Sequence, residues 1–409
     1  MDLFNNIARA FKHKNFRYYF NLQIVAYIGS WVHNTAQSWL IYKLTNSPWL
    51  LGLVAFASLI PTILFAPLSG IITDRFKRKN VLIVTQILFL FHGVILAVLY
   101  YTHVVNEWQI LFLAFFFGIV NSFDEPARES FVPLLVNKED LISAISISSI
   151  IGNTANIFGP ALGGLLIATY NEGTCFVLNA ILHFPLILFL IWVSPRKQVI
   201  KEFLSPFHHI KEGFLFSWNN TPIRALLLLI GIFGFCGVSF SALLPIFSDQ
   251  ILHHGAKGMG VLLGVSGIGA VFGGLLLASR HKVTGIKKVI ANCTLLFSVC
   301  VFLFAYSKSF FFSMLLMALI GFCYTVICSG SNTALQAMTD DHLRGRVISL
   351  YSTMVMGMYP IGSLVIGFMA DKIGVSLAVA IGAGISFIAA LYFRLKVPML
   401  MKEAERLIN

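Results

Sequence analysis

Polar and charged residues gather in short clusters along this chain. Between the clusters run long apolar stretches that lack the strict alternation of a half-buried strand. A spanning helix needs about 20 predominantly apolar residues. Twelve stretches approach or exceed that length: 17–43, 48–73, 80–102, 107–125, 139–169, 173–195, 221–247, 257–280, 285–306, 309–335, 344–370 and 373–396. Their continuity favours helices over barrel strands, which alternate lipid-facing and lumen-facing positions. The pattern predicts an all-α integral membrane protein with twelve transmembrane helices. Residues 1–16 are polar and basic and read as a cytoplasmic start, not as a cleavable leader.

Composition agrees with the pattern. Of 409 residues, 57% are hydrophobic, 14% aromatic and 11% charged, and the mean hydropathy is +0.83. A soluble domain carries roughly 25% charged residues, so a soluble enzyme, a disordered chain and a nucleic-acid binder are all excluded as readings. The formal net charge of +12 first raises the question of an acidic partner, and its placement answers it. With the N-terminus inside and every stretch crossing, 25 of the 29 basic residues lie on the cytoplasmic side. Only Lys43, Lys257, Lys308 and Lys372 fall outside. The positive-inside rule then predicts twelve spans in a cytoplasmic (inner) membrane with both termini cytoplasmic.

The longest interior loop, 196–220, reads as a cytoplasmic connector. It divides the chain into six-helix halves, 1–195 and 221–409. The halves echo one another weakly: Gly159-Pro160 and Gly163-Gly164 in the fifth stretch, Tyr359-Pro360 and Gly362 in the eleventh. Internal duplication is common in transporters. The six cysteines form no CxxC pair near histidine and read as small packing residues. Neither a metal nor a cofactor is expected, and no nucleotide-binding GxxxxGK[ST], HExxH or GxSxG pattern occurs.

Three motifs carry mechanism. After the second stretch the chain reads Gly70-Ile-Ile-Thr-Asp74-Arg75-Phe76-Lys77-Arg78-Lys79. This resembles the GxxxDRxGRR signature loop of the major facilitator superfamily, with Phe76-Lys77 departing from its usual step. The fourth stretch ends in Asn121, Asp124, Glu125, Pro126 and Arg128, and the second half carries Asn332, Leu335-Gln336 and Leu343-Arg344-Gly345-Arg346. Together these resemble the superfamily branch that contains the enterobactin exporter and macrolide efflux proteins, across essentially the whole chain. The fifth stretch holds Ala155, Gly159, Pro160, Gly163 and Gly164, similar to the superfamily's antiporter motif.

The resemblance implies the major facilitator fold of two six-helix bundles. It also implies a gating set on the cytoplasmic side: Gly70, Asp74, Arg75, Arg78, Asp124, Glu125, Arg128, Arg344 and Arg346. Asp74 could favour the positive end of a helix dipole, and Arg75 or Arg78 could pair with an acid of the fourth stretch. The plainer alternatives are a positive-inside loop and a solvated helix end. For the glycines of the fifth stretch the alternative is simple close packing.

No Asp, Glu, Lys or Arg lies near the middle of any stretch. The titratable groups at mid-depth are His33, His92 and His183. For each, a hydrogen-bonded structural role competes with a coupling role. The proton-coupling candidates are His33, Asp124 and Glu125. Family analogy gives a neutral, polar and aromatic substrate cavity from His33, Asn34, Gln37, Asn121, Asn153, Asn156, Ser239, Tyr324, Asn332, Tyr351 and Met354.

The expected function is proton-coupled export of a siderophore-like or lipophilic drug-like compound by alternating access. Import of a siderophore or transport of an amphiphile on the same fold is the alternative, and a non-transporting scaffold or sensor is a third reading. An enzyme is not expected. The expected partners are an amphiphilic or aromatic small molecule and the lipid bilayer, with no nucleic acid, and the protein is expected to act as a monomer.

Overall fold

Apolar stretches bounded by capping residues become helices in the structure, a computed structural model that describes residues 9–196, 214–280 and 285–408. No strand occurs among the described residues. The helices are α1 Lys14–Thr45, α2 Pro48–Leu64, α3 Ala66–Arg75, α4 Arg78–Tyr101, α5 Glu107–Phe131, α6 Leu141–Thr169 and α7 Glu172–Trp192. After them come α8 Thr221–Ile232, α9 Gly255–Ala278, α10 Ile286–Tyr306, α11 Phe310–Ala337, α12 Asp341–Ile373 and α13 Val375–Ile408.

Local chemistry sets several of the starts. At α5, Gln109 N donates to Asn106 Oδ1 (2.9 Å) and Asn106 N donates to Gln109 Oε1 (3.0 Å), a reciprocal capping box. Asn171 accepts from Thr174 N at 2.8 Å to start α7. Lys79 Nζ closes the other end of α7, donating to the carbonyls of Ile191 (2.9 Å) and Val193 (2.8 Å).

Nine of the described helical stretches are long and apolar enough to cross a membrane, and a bent pair makes a tenth. The bend is 57°, between Pro48–Leu64 and Leu68–Arg75. Pro61 and Pro67 each lack the N–H that would continue the helix ladder there. Helix α1 has 32 residues, but Gln23, Ser30, His33, Asn34 and Gln37 dilute its apolar character. In α6 the run Ala155–Thr169 is apolar. The seventh expected stretch differs most from a regular helix. After α8 it passes through a π segment (Phe233–Val238), a 3-10 segment (Ser239–Leu243), one short α turn and a second π segment (Phe247–Ile251). Such π turns concentrate at functional positions.

The chain divides into two compact units, Met1–Thr45 with Ile60–Leu204, and Asn46–Leu59 with Ser205–Asn409. In the first, α1 runs along α6 and α7, while α4 runs along α5 and α7. A Cβ on Gly159 would overlap Trp31, and one on Gly163 would sit 3.0 Å from Thr35 Cβ, so this glycine row is what lets α6 lie against α1. An apolar cluster built on Phe16, Tyr19, Phe131, Val132, Val136 and Leu190 fills one end. At the other end Glu172 is buried and accepts from Tyr100 Oη (2.7 Å) and from the largely exposed Lys43 Nζ (3.1 Å).

In the second unit α9 crosses α11 at backbone contact. A Cβ on Gly269 would overlap the Ala318 carbonyl, and one on Gly321 the Ser266 carbonyl. The irregular stretch after α8 lies against α12 and α13, where Gly362 meets the Phe235 carbonyl and Gly382 the Cys236 carbonyl. Residues 46–59 belong to this unit: Gly52 abuts Ser363 and Gly367, and the Trp49 and Phe368 ring centroids are 5.8 Å apart.

Two predictions follow from this packing. Gly159→Ala and Gly269→Ala should each cost about 1–3 kcal/mol through overpacking. Gly384→Ala, where a Cβ meets nothing within 4 Å, should be neutral or gain up to about 1 kcal/mol of helix propensity. Thermal unfolding of the purified variants in detergent measures the difference, and equal midpoints for all three would remove the close-packing account. At Glu172, Tyr100→Phe should cost about 1.5–3 kcal/mol, because it deletes a hydrogen bond to a buried carboxylate. Lys43→Met should cost at most about 1 kcal/mol, because the ammonium is mostly in solvent. The same assay checks the order, and a larger loss for Lys43→Met would reverse the assignment.

Candidate functional site

The site is built on a carboxylate. Asp124 lies in α5, seven residues before the helix ends, and is only 2% exposed. Its Oδ1 accepts from Thr85 Oγ1 (2.7 Å) and Gln86 Nε2 (2.8 Å), both on α4. Its Oδ2 lies 3.5 Å from Arg128 Nη1, one turn along the same helix. The Arg128 guanidinium in turn covers the Tyr27 ring of α1, with 4.3 Å between the guanidinium carbon and the ring centroid. A carboxylate removed from water is tolerable when its lone pairs are met by donors and a counter-charge stands beside it. Here donors and counter-charge come from α4 and α5, and α1 covers the cation.

The polar chain continues inward from Gln86. The carboxylate can only accept, so the amide nitrogen faces it and the amide oxygen faces away. That oxygen lies 2.6 Å from His183 Nδ1 on α7, and His183 Nε2 lies 3.2 Å from Ser30 Oγ on α1. Beside this chain sits a ring cluster. His33 and His92 have centroids 4.7 Å apart, and His33 also packs on Phe176 (4.9 Å) and Phe117 (5.9 Å). His92 Nε2 is 3.1 Å from the Leu113 carbonyl, which makes that nitrogen the N–H. All three histidines are buried inside the first unit.

Among the gating candidates, Gly70 is exposed with nothing near its Cβ position, and Asp74 and Arg75 are exposed at the end of α3. Arg78 Nη1 donates to the Ser130 carbonyl at the end of α5 (3.1 Å), and the cation beside Asp124 is Arg128. Glu125 is half-buried. In the second unit Arg344 Nε donates to the Gln336 carbonyl (3.3 Å), and Arg346 is half-buried. In the glycine motif Ala155, Gly159, Pro160, Gly163 and Gly164 are all buried.

The cavity candidates divide between the two units. His33 is enclosed by aromatic rings inside the bundle, and Gln37, one turn on, is also buried. Asn34 and Asn121 are half-buried and Asn156 is exposed. The side chain of Asn153 lies outside the described residues. In the second unit Ser239 Oγ is committed to the Phe235 carbonyl (2.7 Å) and Tyr351 Oη to the Cys328 carbonyl (2.7 Å). Asn332 accepts from Gln336 of its own helix. Tyr324 is 36% exposed with its ring 6.1 Å from that of Phe233, and Met354 is half-buried against Gly231. In the second unit Tyr324 and Tyr351 both lie near Cys328.

Thr85, Gln86, Ser30 and Tyr27 were not anticipated from the sequence. The available signal was the adjacent Thr85-Gln86 pair inside an otherwise apolar stretch.

Comparison with known proteins places this geometry. The family model described as transmembrane secretion effector matches residues 7–408. The chain is 25% identical over 363 residues to the staphyloferrin A transporter of Staphylococcus aureus, covering 88% of this chain and 90% of that one. It is also 25% identical over 378 residues to macrolide efflux protein A of Streptococcus pyogenes, covering 87% and 89%. Among solved structures, the nucleoside transporter NupG superposes with a TM-score of 0.76 at 15% identity, over 95% of this chain and 99% of that one. The match runs nearly end to end in sequence and in fold, and its members are transporters, not enzymes. This multi-pass membrane protein belongs to the transmembrane secretion effector family of the major facilitator superfamily.

Proposed function

We propose that this protein is a proton-coupled secondary transporter of the cytoplasmic membrane. It spans the membrane twelve times with both termini cytoplasmic, and it exports a siderophore-like or lipophilic drug-like compound by alternating access. The halves 1–195 and 221–409, joined by 196–220, act as its two bundles, and the monomer is the working unit. The observation that carries the coupling part is Asp124, a buried carboxylate held by two neutral donors and one arginine. Ionisable groups in such places mark ion pathways in membrane proteins. Glu125, half-buried beside it, is its companion candidate.

The cargo class rests on two supports. One is the pair of relatives named for staphyloferrin A transport and for macrolide efflux. The other is the absence of Asp, Glu, Lys or Arg from the candidate cavity residues, which suits an amphiphilic or aromatic molecule. The name of the first relative gives no direction, so import on the same fold is the second reading. The exposed Asp74 and Arg75, with Arg78 tied to the end of α5, fit a cytoplasmic gate.

The test is uptake of a radiolabelled macrolide and of labelled staphyloferrin A into everted vesicles bearing the protein, with and without an inward-acid pH gradient. Gradient-dependent accumulation of one of them is expected, and Asp124→Asn should lower it at least about tenfold, one pH unit of proton affinity being worth that factor. Accumulation in right-side-out vesicles instead would establish import. Gradient-independent transport would remove the proton from the mechanism.

A further inference from the structure

We propose that His183 is the proton-holding site of the first unit, with Asp124 as its counter-charge through Gln86. This rests on the proton-coupled reading above and names a group within it. The relevant atoms are all in place. Asp124 fixes the Gln86 amide with its nitrogen toward the carboxylate, so the Gln86 oxygen, 2.6 Å from His183 Nδ1, can only accept. Nδ1 therefore carries hydrogen, and in the neutral ring Nε2 is the bare nitrogen. Facing it at 3.2 Å is the Ser30 hydroxyl, which also lies 3.3 Å from the Ala26 carbonyl on its own helix.

This arrangement satisfies two protonation states without leaving a polar group stranded. In the neutral state Ser30 donates its hydrogen to His183 Nε2. When a proton arrives, it binds the Nε2 lone pair. Nε2–H then donates to Ser30 Oγ, and the Ser30 hydrogen turns to the Ala26 carbonyl. One proton enters, one positive charge appears on the ring, and only hydrogen bonds are exchanged. Burial ordinarily penalises such a charge, and an unsatisfied donor would add to that cost. The second acceptor for Ser30 removes the latter penalty.

Charge balance points the same way. The groups around His183 are few. Helix α4 presents Gln86, with the Phe89 ring tilted against the imidazole at 5.4 Å between centroids. Helix α1 presents Ser30, and the neighbouring ring cluster holds His33 of α1 and His92 of α4. Helix α6 carries no Asp, Glu, Lys, Arg or His. Behind Gln86 lie Asp124, Glu125 and Arg128, two acids and one base, with Tyr27 under the arginine. A protonated His183 would be linked through Gln86 to the Asp124 carboxylate, a formal negative charge. One turn from His183, buried Asn179 keeps both amide atoms unpartnered among the described residues, so the polar interior extends beyond the ring. His183 is the twelfth residue of the 21 in α7, about 16 Å from its start at 1.5 Å per residue. It is therefore at mid-depth, where a held proton has left one face of the membrane without reaching the other.

The experiment uses the full-length protein in lipid nanodiscs with 15N-labelled histidine, and reads ring-nitrogen shifts from pH 4.5 to 8.5. His183→Gln assigns the signal. The expected result is a His183 ring that is Nδ1-protonated when neutral and titrates within this range. Ser30→Ala should lower its proton affinity about tenfold, and Gln86→Glu should raise it by a similar factor. A ring that stays neutral throughout, or whose neutral form carries hydrogen on Nε2, overturns the proposal. If His183→Gln does not fold, the opposite shifts in Ser30→Ala and Gln86→Glu assign the signal, and shifts in one direction overturn the proposal. The vesicle assay separates this from the reading it rests on. If His183 fails to titrate while wild-type transport follows the pH gradient, coupling stands and this site falls. A titrating His183 in a protein indifferent to the gradient leaves the site standing and removes the coupling.

Discussion

The interior of the first unit is organised around one constraint: the Asp124 carboxylate is out of water and has to be answered. Two donors do so, Thr85 and Gln86 from α4, with the Arg128 guanidinium of α5 itself as counter-charge 3.5 Å away, and Tyr27 from α1 covers the arginine. A buried carboxylate that loses one partner is strongly destabilising, because the charge stays behind uncompensated. The carboxylate thus fixes the side chains that α4 and α1 present toward α5 at this level. Its influence reaches further through Gln86, whose amide can take one orientation only, and so dictates which nitrogen of His183 carries hydrogen on α7. Four helices are placed in register by one acid and the directionality of its hydrogen bonds.

The glycines supply a complementary constraint. Gly159 and Gly163 allow α6 to lie against Trp31 and Thr35 of α1. Ser30, the group facing His183 Nε2, immediately precedes Trp31. The α1 face that turns Ser30 toward α7 is therefore adjacent to the face held by the α6 glycines. In this chain the motif that resembles an antiporter signature and the polar chain around His183 are two sides of one helix.

Much of the architecture was legible in the sequence because membranes restrict the options so severely. Long apolar stretches with basic residues between them leave little but helices, and the segments at 80–102, 173–195 and 285–306 end within a few residues of their observed helices. The irregular backbone after Ile232 was not legible, and part of it, at Phe235 and Cys236, packs against Gly362 and Gly382 on helices distant in sequence. The site divides in the same way. Asp124 and Arg128 stood out as charges near a helix end, and His183 as a mid-depth titratable group. Gln86 did not, because an uncharged amide in an apolar helix looks the same whether it faces a neighbour's backbone or bridges an acid to a histidine. His33 read as a cavity group because its neighbours Asn34 and Gln37 are polar. Sequence spacing alone could not reveal Phe117, Phe176 and His92 closing around it.

The two units differ in what they bury. Asp124, Glu172 and the three histidines lie within the first. Among the described residues of the second, the one buried formally charged side chain is Lys287, at the start of α10, and its other buried polar groups are small hydroxyls. Hydroxyls such as Thr294 and Ser298 spend themselves on carbonyls one turn back, so they do not link helices. Backbone approach at Gly269, Gly321 and Gly362 brings helices of the second unit together, and Tyr351 Oη on the Cys328 carbonyl adds a polar link between α12 and α11. The first unit adds to its glycine contacts a polar link between helices that runs through Asp124, Gln86 and His183. Among the described residues the buried carboxylates and buried histidines accordingly lie in the first half, although both halves are built from helices of similar length and apolarity.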